Sequence, residues 1–221
     1  MRLVPIALFA ALTACGGGGG SGGGGSEGSE VAPAYQTAWY VHATKGNDAN
    51  SGSSQAPFKT ITRAMTSALS GDTVHVAPGT YDLVNGETFP IHLPAGVSLL
   101  GDEDSQGSTT SIIGGGAFQY TYFPVFATVA PGANSTIAGF TLTDDNPGNE
   151  YPMGLILKHS GVTIRNNRVI NSLSYGIYIY NQAANHVITG NVIKNSGNAG
   201  LAFIGGGAGS RVEMNEITYN V

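Results

Sequence analysis

The residues of this sequence that are best suited to chemistry are tyrosines in its second half. From Ile177 to Tyr180 aliphatic and aromatic side chains alternate, which on a strand puts Ile177 and Ile179 on one face and Tyr178 and Tyr180 on the other. If the isoleucines face a core, the tyrosines point outward, where a ring with a polar hydroxyl can stack on a sugar. The alternative is that residues 117–125 cover these rings. The tyrosines that could extend the surface are Tyr120, Tyr122 and Tyr151.

The composition excludes several classes of protein. The 221 residues include 9 Lys and Arg against 14 Asp and Glu, and the net charge of −5 argues against nucleic-acid binding. Hydrophobic residues make up 41% of the chain, so the chain as a whole is not disordered. With Cys15 as the single cysteine, neither an intrachain disulfide nor a cysteine-based zinc site can form. The acidic run at 102–104 is expected to be a solvated loop.

From about residue 130 onward the sequence repeats itself. The pattern Ile-x-x-Asn-x-Val/Ile recurs every 24 residues, with its asparagine at Asn167, Asn191 and Asn215. A second series of apolar segments has nearly the same period and begins at Gly154, Gly176 and Gly200. Two independent series with one period indicate a solenoid. The apolar pieces are too short and too β-branched for helices, so each repeat is expected to hold three short strands.

Three strands per repeat describe an all-β fold, the parallel β-helix, whose stacked coils lie about 4.8 Å apart. Residues one repeat apart are then vertical neighbours, so the three repeated asparagines should form a hydrogen-bonded ladder. The turn before each of them suits Asn166 and Gly190, which tolerate a positive φ, whereas Met214 departs from this pattern. A leucine-rich repeat is the competing solenoid, but its regular leucine spacing and helical segment are missing from the sequence.

Residues 38–73 are predicted to form an N-terminal strand and a cap ahead of the coils, which occupy residues 74–221. The strand is expected at 38–41 and an amphipathic α-helix at 57–69, whose apolar face would cover the open end of the solenoid. At the other end Val221 directly follows the last repeat. We therefore expect further coils or another chain to cover that edge.

Several motifs of this N-terminal part resemble a known family. They are Gly-Asn-Asp-Ala-Asn-Ser-Gly at 46–52, Ala-Pro-Phe-Lys-Thr-Ile at 56–61, Gly-Asp-Thr-Val at 71–74 and Pro-Gly-Thr-Tyr at 78–81, continued at 96–101 and 112–115. Together they are similar to the opening module of secreted proteins of the pectin-lyase-like superfamily. The closest resemblance is to a domain-of-unknown-function family at the N-terminus of bacterial surface and carbohydrate-associated proteins. The resemblance covers about residues 38–145 and implies a right-handed, single-stranded parallel β-helix, here of about six coils.

The resemblance also implies a chemistry, because active relatives are mostly polysaccharide lyases and hydrolases with a groove for an extended glycan. In the lyases, Ca²⁺ held by carboxylates acidifies a uronate proton, which a lysine or arginine removes. The best match is a metal site of Asp144, Asp145 and Glu150 beside Lys158 as the catalytic base. The residues of this loop are more typical of a solvated turn, with Lys158 on the outer face. Inverting hydrolases of this fold use clustered aspartates, and residues 161–221 contain none.

The N-terminus predicts export and lipidation. An apolar run at 3–14 follows Arg2, is too short to span a bilayer, and gives residues 1–14 the pattern of a signal peptide. Leu-Thr-Ala-Cys at 12–15 resembles the lipobox of bacterial lipoproteins, which implies that Cys15 is acylated and anchors the chain. The alternative is an ordinary signal peptide with an incidental cysteine. Residues 15–37 predict a flexible Gly- and Ser-rich tether, and the lack of aspartate after Cys15 favours the outer membrane.

We therefore expect a lipid-anchored protein of the cell envelope, on the bacterial outer membrane or cell surface. Its β-helix would bind an extended polysaccharide or serve as a structural or adhesive module. The alternative function is a Ca²⁺-dependent, pectate-type polysaccharide lyase or a fragment of one, although the residues favour binding over cleavage. The expected partners are a membrane and a polysaccharide but not nucleic acid, and Ca²⁺ is the one cofactor considered.

Overall fold

The structure is a computed structural model that describes residues 36–119, 124–144, 148 and 151–220. No helix in these ranges is long and apolar enough to cross a membrane. Several features singled out above lie outside the described residues: the signal peptide at 1–14, Cys15, all but the last two residues of the tether at 15–37, Tyr120, Tyr122, Asp145 and Glu150.

The described residues form one short helix, α1 (Ile61–Met65), and nineteen strands. In chain order the strands are β1 (Ala38–Val41), β2 (Thr73–Val76), β3 (Gly79–Tyr81), β4 (Ile91–Leu93), β5 (Ser98–Leu100), β6 (Thr110–Ile113), β7 (Gly116–Gln119), β8 (Pro124–Pro131), β9 (Thr136–Ala138), β10 (Thr141–Thr143), β11 (Pro152–Leu157), β12 (Thr163–Arg165), β13 (Arg168–Ile170), β14 (Tyr175–Tyr180), β15 (Val187–Thr189), β16 (Val192–Lys194), β17 (Ala199–Ile204), β18 (Arg211–Glu213) and β19 (Glu216–Thr218).

These strands stack into three sheets in which every pair is parallel except β7 with β8. Sheet A has the order β1-β2-β5-β9-β12-β15-β18, sheet B the order β3-β6-β10-β13-β16-β19, and sheet C the order β4-β8-β11-β14-β17. Each coil gives one strand to each sheet, so β2 to β17 make five coils, while β18 and β19 belong to a sixth. The predicted right-handed parallel β-helix is confirmed.

Because coils pair in register, like side chains form columns in the core. In sheet A one column runs through Leu99, Ile137, Ile164 and Ile188, all fully buried. The matching columns are Tyr81, Ile112, Leu142, Val169 and Ile193 in sheet B, and Val129, Leu155 and Ile177 in sheet C. Since burying one such aliphatic side chain contributes roughly 1.5–3 kcal/mol, the columns are a main source of stability.

The repeated glycines lie where the backbone packs against these columns. A Cβ atom on Gly176 would lie 2.8 Å from Cγ2 of Ile193 and 2.5 Å from the carbonyl oxygen of Gly200. Gly154, one coil earlier, is confined in the same way. Gly176 therefore faces the core together with the next residue, Ile177, and the alternation of faces is broken at this point.

Asparagine side chains join successive coils at the turn between sheets A and B. The Oδ1 atom of Asn191 accepts the backbone N–H of Asn167 at 3.0 Å, and that of Asn215 accepts the N–H of Asn191 at 2.9 Å. The Oδ1 atom of Asn167 accepts the backbone N–H of Phe140 in the same way. Each Nδ2 also donates to carbonyl oxygens of its own coil and of the coil before. The structure thus contains the predicted ladder, which satisfies buried backbone groups at the turn.

The turn residue before each ladder asparagine has a positive φ. The angle is 53° at Asn166 and 65° at Gly190, as their residue types predict. Met214 adopts the same conformation in the last coil, with a φ of 54°, and its side chain is 79% exposed. The last coil therefore keeps the turn even though a left-handed methionine costs about 1 kcal/mol.

The helix predicted over residues 57–69 is much shorter in the structure, since α1 spans Ile61–Met65. Phe58 instead forms a parallel bridge with Val41, and its N–H and carbonyl bond to the backbone of β1 and of His42. The helix begins after Thr60, whose side chain accepts the N–H of Arg63 at 3.0 Å. Amphipathic spacing therefore marked most of the buried face correctly, but neither the helix ends nor Leu69, which it predicted to be buried and which is 59% exposed.

Two acidic side chains hold the start of α1. Asp48 accepts the backbone N–H groups of Lys59 and Thr60 at 2.8 and 2.9 Å. The buried Glu87 accepts those of Ile61 and the following threonine at 2.6 and 2.9 Å, and burial raises the pKa of Glu87. The helix packs against β1, β2 and β4, so it caps the first coil as expected.

Residues 102–109 run along the outside of the turns, and we call this segment the strap. It leaves the second coil between β5 and β6. Glu103 makes a bidentate ion pair with Arg165 at 2.7 and 2.9 Å and accepts Nδ2 of Asn166 at 2.9 Å. Gln106 reaches one coil further and donates to the carbonyl of Gly190 at 3.2 Å. The expectation of a wholly solvated acidic loop is therefore wrong for Glu103.

His186 is buried in the core just before β15, where Val162 holds the equivalent position one coil earlier. Neither of its ring nitrogens makes a hydrogen bond to a described residue. Burial lowers the pKa of His186, and the nearby carbonyl groups of Val162 and Ala183 oppose this shift without cancelling it. At neutral pH the imidazole of His186 is therefore neutral in the folded chain.

The ladder predicts an unequal response to two asparagine substitutions in the same coil. Asn191→Leu leaves the buried N–H of Asn167 without its acceptor, which costs about 1–3 kcal/mol, and removes three hydrogen bonds that Nδ2 of Asn191 donates, each worth about 0.5–1.5 kcal/mol. We expect the free energy of unfolding, measured by urea denaturation of the full chain, to fall by at least about 3 kcal/mol. Asn198→Ala removes a single, partly buried hydrogen bond to Ser174 and should lower the free energy of unfolding by about 1 kcal/mol at most. Equal losses would contradict a structural role for the ladder.

A second prediction concerns acid. As the pH falls below about 6.5, the unfolded chain binds a proton at His186 that the folded chain binds only at lower pH, so stability declines. His186→Val introduces the residue type of the preceding coil. The urea concentration at the midpoint of denaturation should then decrease less between about pH 7.5 and 5 than in the unmodified protein. The exposed His159 serves as control, since His159→Gln should leave that fall unchanged. An identical pH dependence in the His186→Val protein would show the prediction to be wrong.

Candidate functional site

The outer face of sheet C carries the tyrosines that the sequence singled out. Ile177 and Ile179 of β14 are fully buried, whereas Tyr178 and Tyr180 are half-buried on the opposite face. The rings of these two tyrosines are stacked, with centroids 6.4 Å apart and planes 17° from parallel. The residues thus alternate as predicted along this part of the strand.

Tyr175 joins these rings, although strict alternation would place it in the core. Because Gly176 and Ile177 both face inward, Tyr175 comes to the outer face, where its ring centroid lies 5.0 Å from that of Tyr178. We call Tyr175, Tyr178 and Tyr180 the tyrosine strip. The signal that could have revealed Tyr175 is the glycine repeated at the same point of successive coils.

An apolar cluster lies beside the tyrosine strip. Tyr175 and Tyr178 pack against it, and burial raises the pKa of Tyr178, so its hydroxyl stays protonated at neutral pH. The buried members come from β8 and β11, and they are Val125, Ala127, Ala130, Met153 and Ile156. Val125, the last residue of the segment 117–125 that we considered as a cover, packs in this cluster. The half-exposed rings of β14 remain in contact with solvent.

Basic side chains lie at one end of the strip. Leu157 of β11 pairs with Ile179 of β14, so the next residue, Lys158, is the strand neighbour of Tyr180. Lys158, His92 and His159 line a hollow of about 80 Å³ at the ends of β4, β8 and β11. Desolvation lowers the pKa of His92, so this imidazole is neutral at neutral pH. The hollow thus offers a lysine ammonium group and imidazole hydrogen-bonding groups to a polar ligand.

The structure does not bring Asp144 and Lys158 together. Asp144 follows β10 and is fully buried with its carboxylate against Gly115, whereas Lys158 follows the far end of β11. The six residues of β11 span about 20 Å. Within the described ranges no group of three or more His, Cys, Asp or Glu side chains could hold a metal ion. Asp144 does not fit a Ca²⁺ site beside Lys158, and since Asp145 and Glu150 lie outside the described residues, a calcium site stays a prediction.

Tyr151 lies at the opposite end of the strip from Lys158. It directly precedes β11, has a φ of 50° and is 56% exposed. Met153 of the same strand pairs with Tyr175, so Tyr151 is near the start of β14. Its position is compatible with the predicted extension of the aromatic surface.

A second aromatic groove, which our sequence analysis did not predict, lies on the outer face of sheet A. The rings of Tyr40 and His75 are stacked at 5.2 Å and 21°. They line a groove of about 330 Å³ together with His42, Pro57 and Leu100. Strand alternation in β1 and β2 would have put both rings outward, because Val41 and Val76 face the core.

Known proteins provide distant structural likenesses, and no curated protein matches the chain. A rhamnogalacturonan lyase is 17% identical with a TM-score of 0.40 over 73% of this chain and 36% of that one. The pectate lyase Pel9A is 18% identical with a TM-score of 0.43 over 79% and 38%. A GH136 lacto-N-biosidase from Eubacterium ramulus is 11% identical with a TM-score of 0.44 over 80% and 55%. The chain thus spans from about a third to just over half of these proteins, and at this similarity no activity is carried over.

A family model matches most of the chain by sequence. The family model described as protein of unknown function (DUF1565) matches residues 44–221. This range holds the cap helix and all the coils described above. The chain therefore belongs to the DUF1565 family.

Proposed function

We propose that the protein is a surface-anchored module that binds an extended polysaccharide along the outer face of sheet C. The observation that carries this proposal is the tyrosine strip, in which three half-exposed rings follow one another along β14. Tyrosine presents an apolar ring face and a polar hydroxyl, which are the two contacts that a sugar ring makes.

The surroundings of the strip support binding to a linear chain of sugars. Ala202 of β17 is the strand neighbour of Tyr178 on the other side, and its small side chain leaves that edge of the ring uncovered. Lys158 and His92 at one end supply groups that hydrogen-bond to hydroxyl or acidic substituents. The strip is rigid because β14 is bonded to β11 and β17, so little conformational freedom is lost on binding.

Replacing two tyrosines of the strip by alanine should weaken the binding of the protein to polysaccharides. In affinity electrophoresis against a panel of neutral and uronate-containing polymers, Tyr178→Ala combined with Tyr180→Ala should weaken binding at least about tenfold, because central aromatic side chains dominate such interfaces. Tyr40→Ala removes an aromatic ring from sheet A and serves as the matched control that should bind normally.

Two outcomes of this experiment would contradict the proposal. If the double variant keeps the affinity of the unmodified protein for every retained polymer, the strip is not the binding surface. If Tyr40→Ala loses binding instead, the groove of sheet A is the site. The lyase alternative has its own readout: it requires chelator-sensitive release of unsaturated uronates that absorb in the ultraviolet.

We also propose that Cys15 is lipidated and that the following Gly- and Ser-rich residues tether the β-helix to the outer membrane or cell surface. The sequence supports this through the apolar run, the lipobox-like residues and the single cysteine at their end. Each buried CH₂ group of an acyl chain contributes about 0.8 kcal/mol, so several chains on one cysteine anchor a protein stably.

Moving the cysteine tests the anchor. In bacteria fed labelled palmitate, the unmodified protein should incorporate label and sediment with membranes, and Cys15→Ala should do neither. Cys15→Ala combined with Ser21→Cys keeps one cysteine but places it away from the lipobox-like residues, so it should also stay unlabelled. Labelling of this double variant would mean that the position of Cys15 carries no lipidation signal.

A further inference from the structure

The hollow beside the tyrosine strip is formed where the second coil has small residues. Ala130 of β8 pairs with His92 of β4, and the register of β8 with β11 puts Ile156 on its other side. The same register puts Gly132, which has no side chain, beside Lys158. His92 and Lys158 therefore border the hollow from the first and the third coil, which lie roughly 10 Å apart, twice the spacing of neighbouring strands.

The volume of the hollow limits what it can hold. It measures about 80 Å³, whereas pockets that enclose a whole small molecule measure about 300–1,000 Å³. The hollow therefore has room for a substituent of a sugar but not for a sugar ring. Tyr180 is the strand neighbour of Lys158, so a ring in contact with Tyr180 can place one of its substituents there.

The charges around the hollow favour an anion. None of the residues in the five strands of sheet C is charged, and the residues that line the hollow include no Asp or Glu. Leu93, Pro131 and Ile156 give it apolar walls, and in such surroundings the ammonium group of Lys158 attracts an anion more strongly than it would in water. A hydrogen bond with an ionised partner is also about twice as strong as one between neutral groups.

We propose that the hollow binds an oxyanion substituent, a carboxylate or a sulfate ester, of a sugar whose ring contacts Tyr180. Lys158 donates to the anion from the third coil, and the imidazole of His92 donates from the first coil. This inference rests on the proposed binding of a polysaccharide by the tyrosine strip and adds to it the charge of the polymer.

A matched pair of polymers tests the inference. A uronate polymer is compared with its carboxyl-reduced form, in which each carboxylate has become a hydroxymethyl group and the backbone is unchanged. By isothermal titration calorimetry, the full chain should bind the uronate polymer at least about tenfold more tightly than the reduced one. A third arm uses the reduced polymer after chemical sulfation. A tenfold preference for this arm alone identifies the substituent as a sulfate ester.

Two lysine variants show whether the preference arises in the hollow. Lys158→Met removes the charge and keeps the length of the side chain, so the preference for the anionic polymer should fall to about twofold or less. Lys194→Met, at the end of β16 in sheet B, changes the net charge by the same amount and should keep the tenfold preference. A general attraction between protein and polymer would respond equally to both substitutions.

Three outcomes would overturn the inference and leave the proposed function intact: no preference for either anionic polymer, an unchanged preference in Lys158→Met, or an equal loss of preference in both lysine variants. In each case Tyr178→Ala combined with Tyr180→Ala would still weaken the binding of every polymer. If this tyrosine variant binds all the polymers as the unmodified protein does, the proposed function is wrong, and the inference fails with it.

Discussion

The structure depends on the register of its stacked coils, and the asparagine ladder fixes that register. A side-chain amide that accepts one N–H from the neighbouring coil and donates to carbonyl groups of two coils can do so at one alignment only. A slip by one residue would turn every core side chain outward. The apolar columns, the confined glycines and the outward tyrosines all require the same alignment, so local and global preferences agree.

The same constraint shapes the candidate site. On β14 the core demands Ile177 and Ile179, and the tight approach of the backbone demands Gly176, which leaves three positions on the outer face. All three are tyrosines. An outer face rich in aromatic and apolar side chains is not needed for a solenoid to fold, since the outer faces of sheets A and B carry many polar residues. The composition of this face is the observation on which the proposed binding of a polysaccharide rests.

The sequence predicted those features that arise from periodicity. The columns, the ladder and the outward direction of Tyr178 and Tyr180 follow from a 24-residue period and the two faces of a strand. Features that depend on contacts outside the repeat could not be predicted from the sequence. The helix predicted at 57–69 is longer than α1 because amphipathic spacing does not reveal that Phe58 pairs with β1. Tyr175 was missed because a glycine breaks the alternation beside it.

The acidic residue Glu103 illustrates the other limit of sequence reasoning. Its partners Arg165 and Asn166 are more than sixty residues away and belong to a different coil, so no local pattern connects them. For Asp144 the local sequence is misleading. Its neighbours in the sequence predict an exposed turn, whereas its own side chain is fully buried against Gly115.

The strap changes how the solenoid is expected to unfold. In an array whose coils touch only their neighbours, each interface can open independently and disorder spreads inward from an end. The strap leaves the second coil and is bonded to the fourth and fifth, so the interfaces between them cannot separate one at a time without breaking its bonds. The interfaces among coils two to five are therefore expected to open together, whereas none of the strap hydrogen bonds named above reaches the sixth coil.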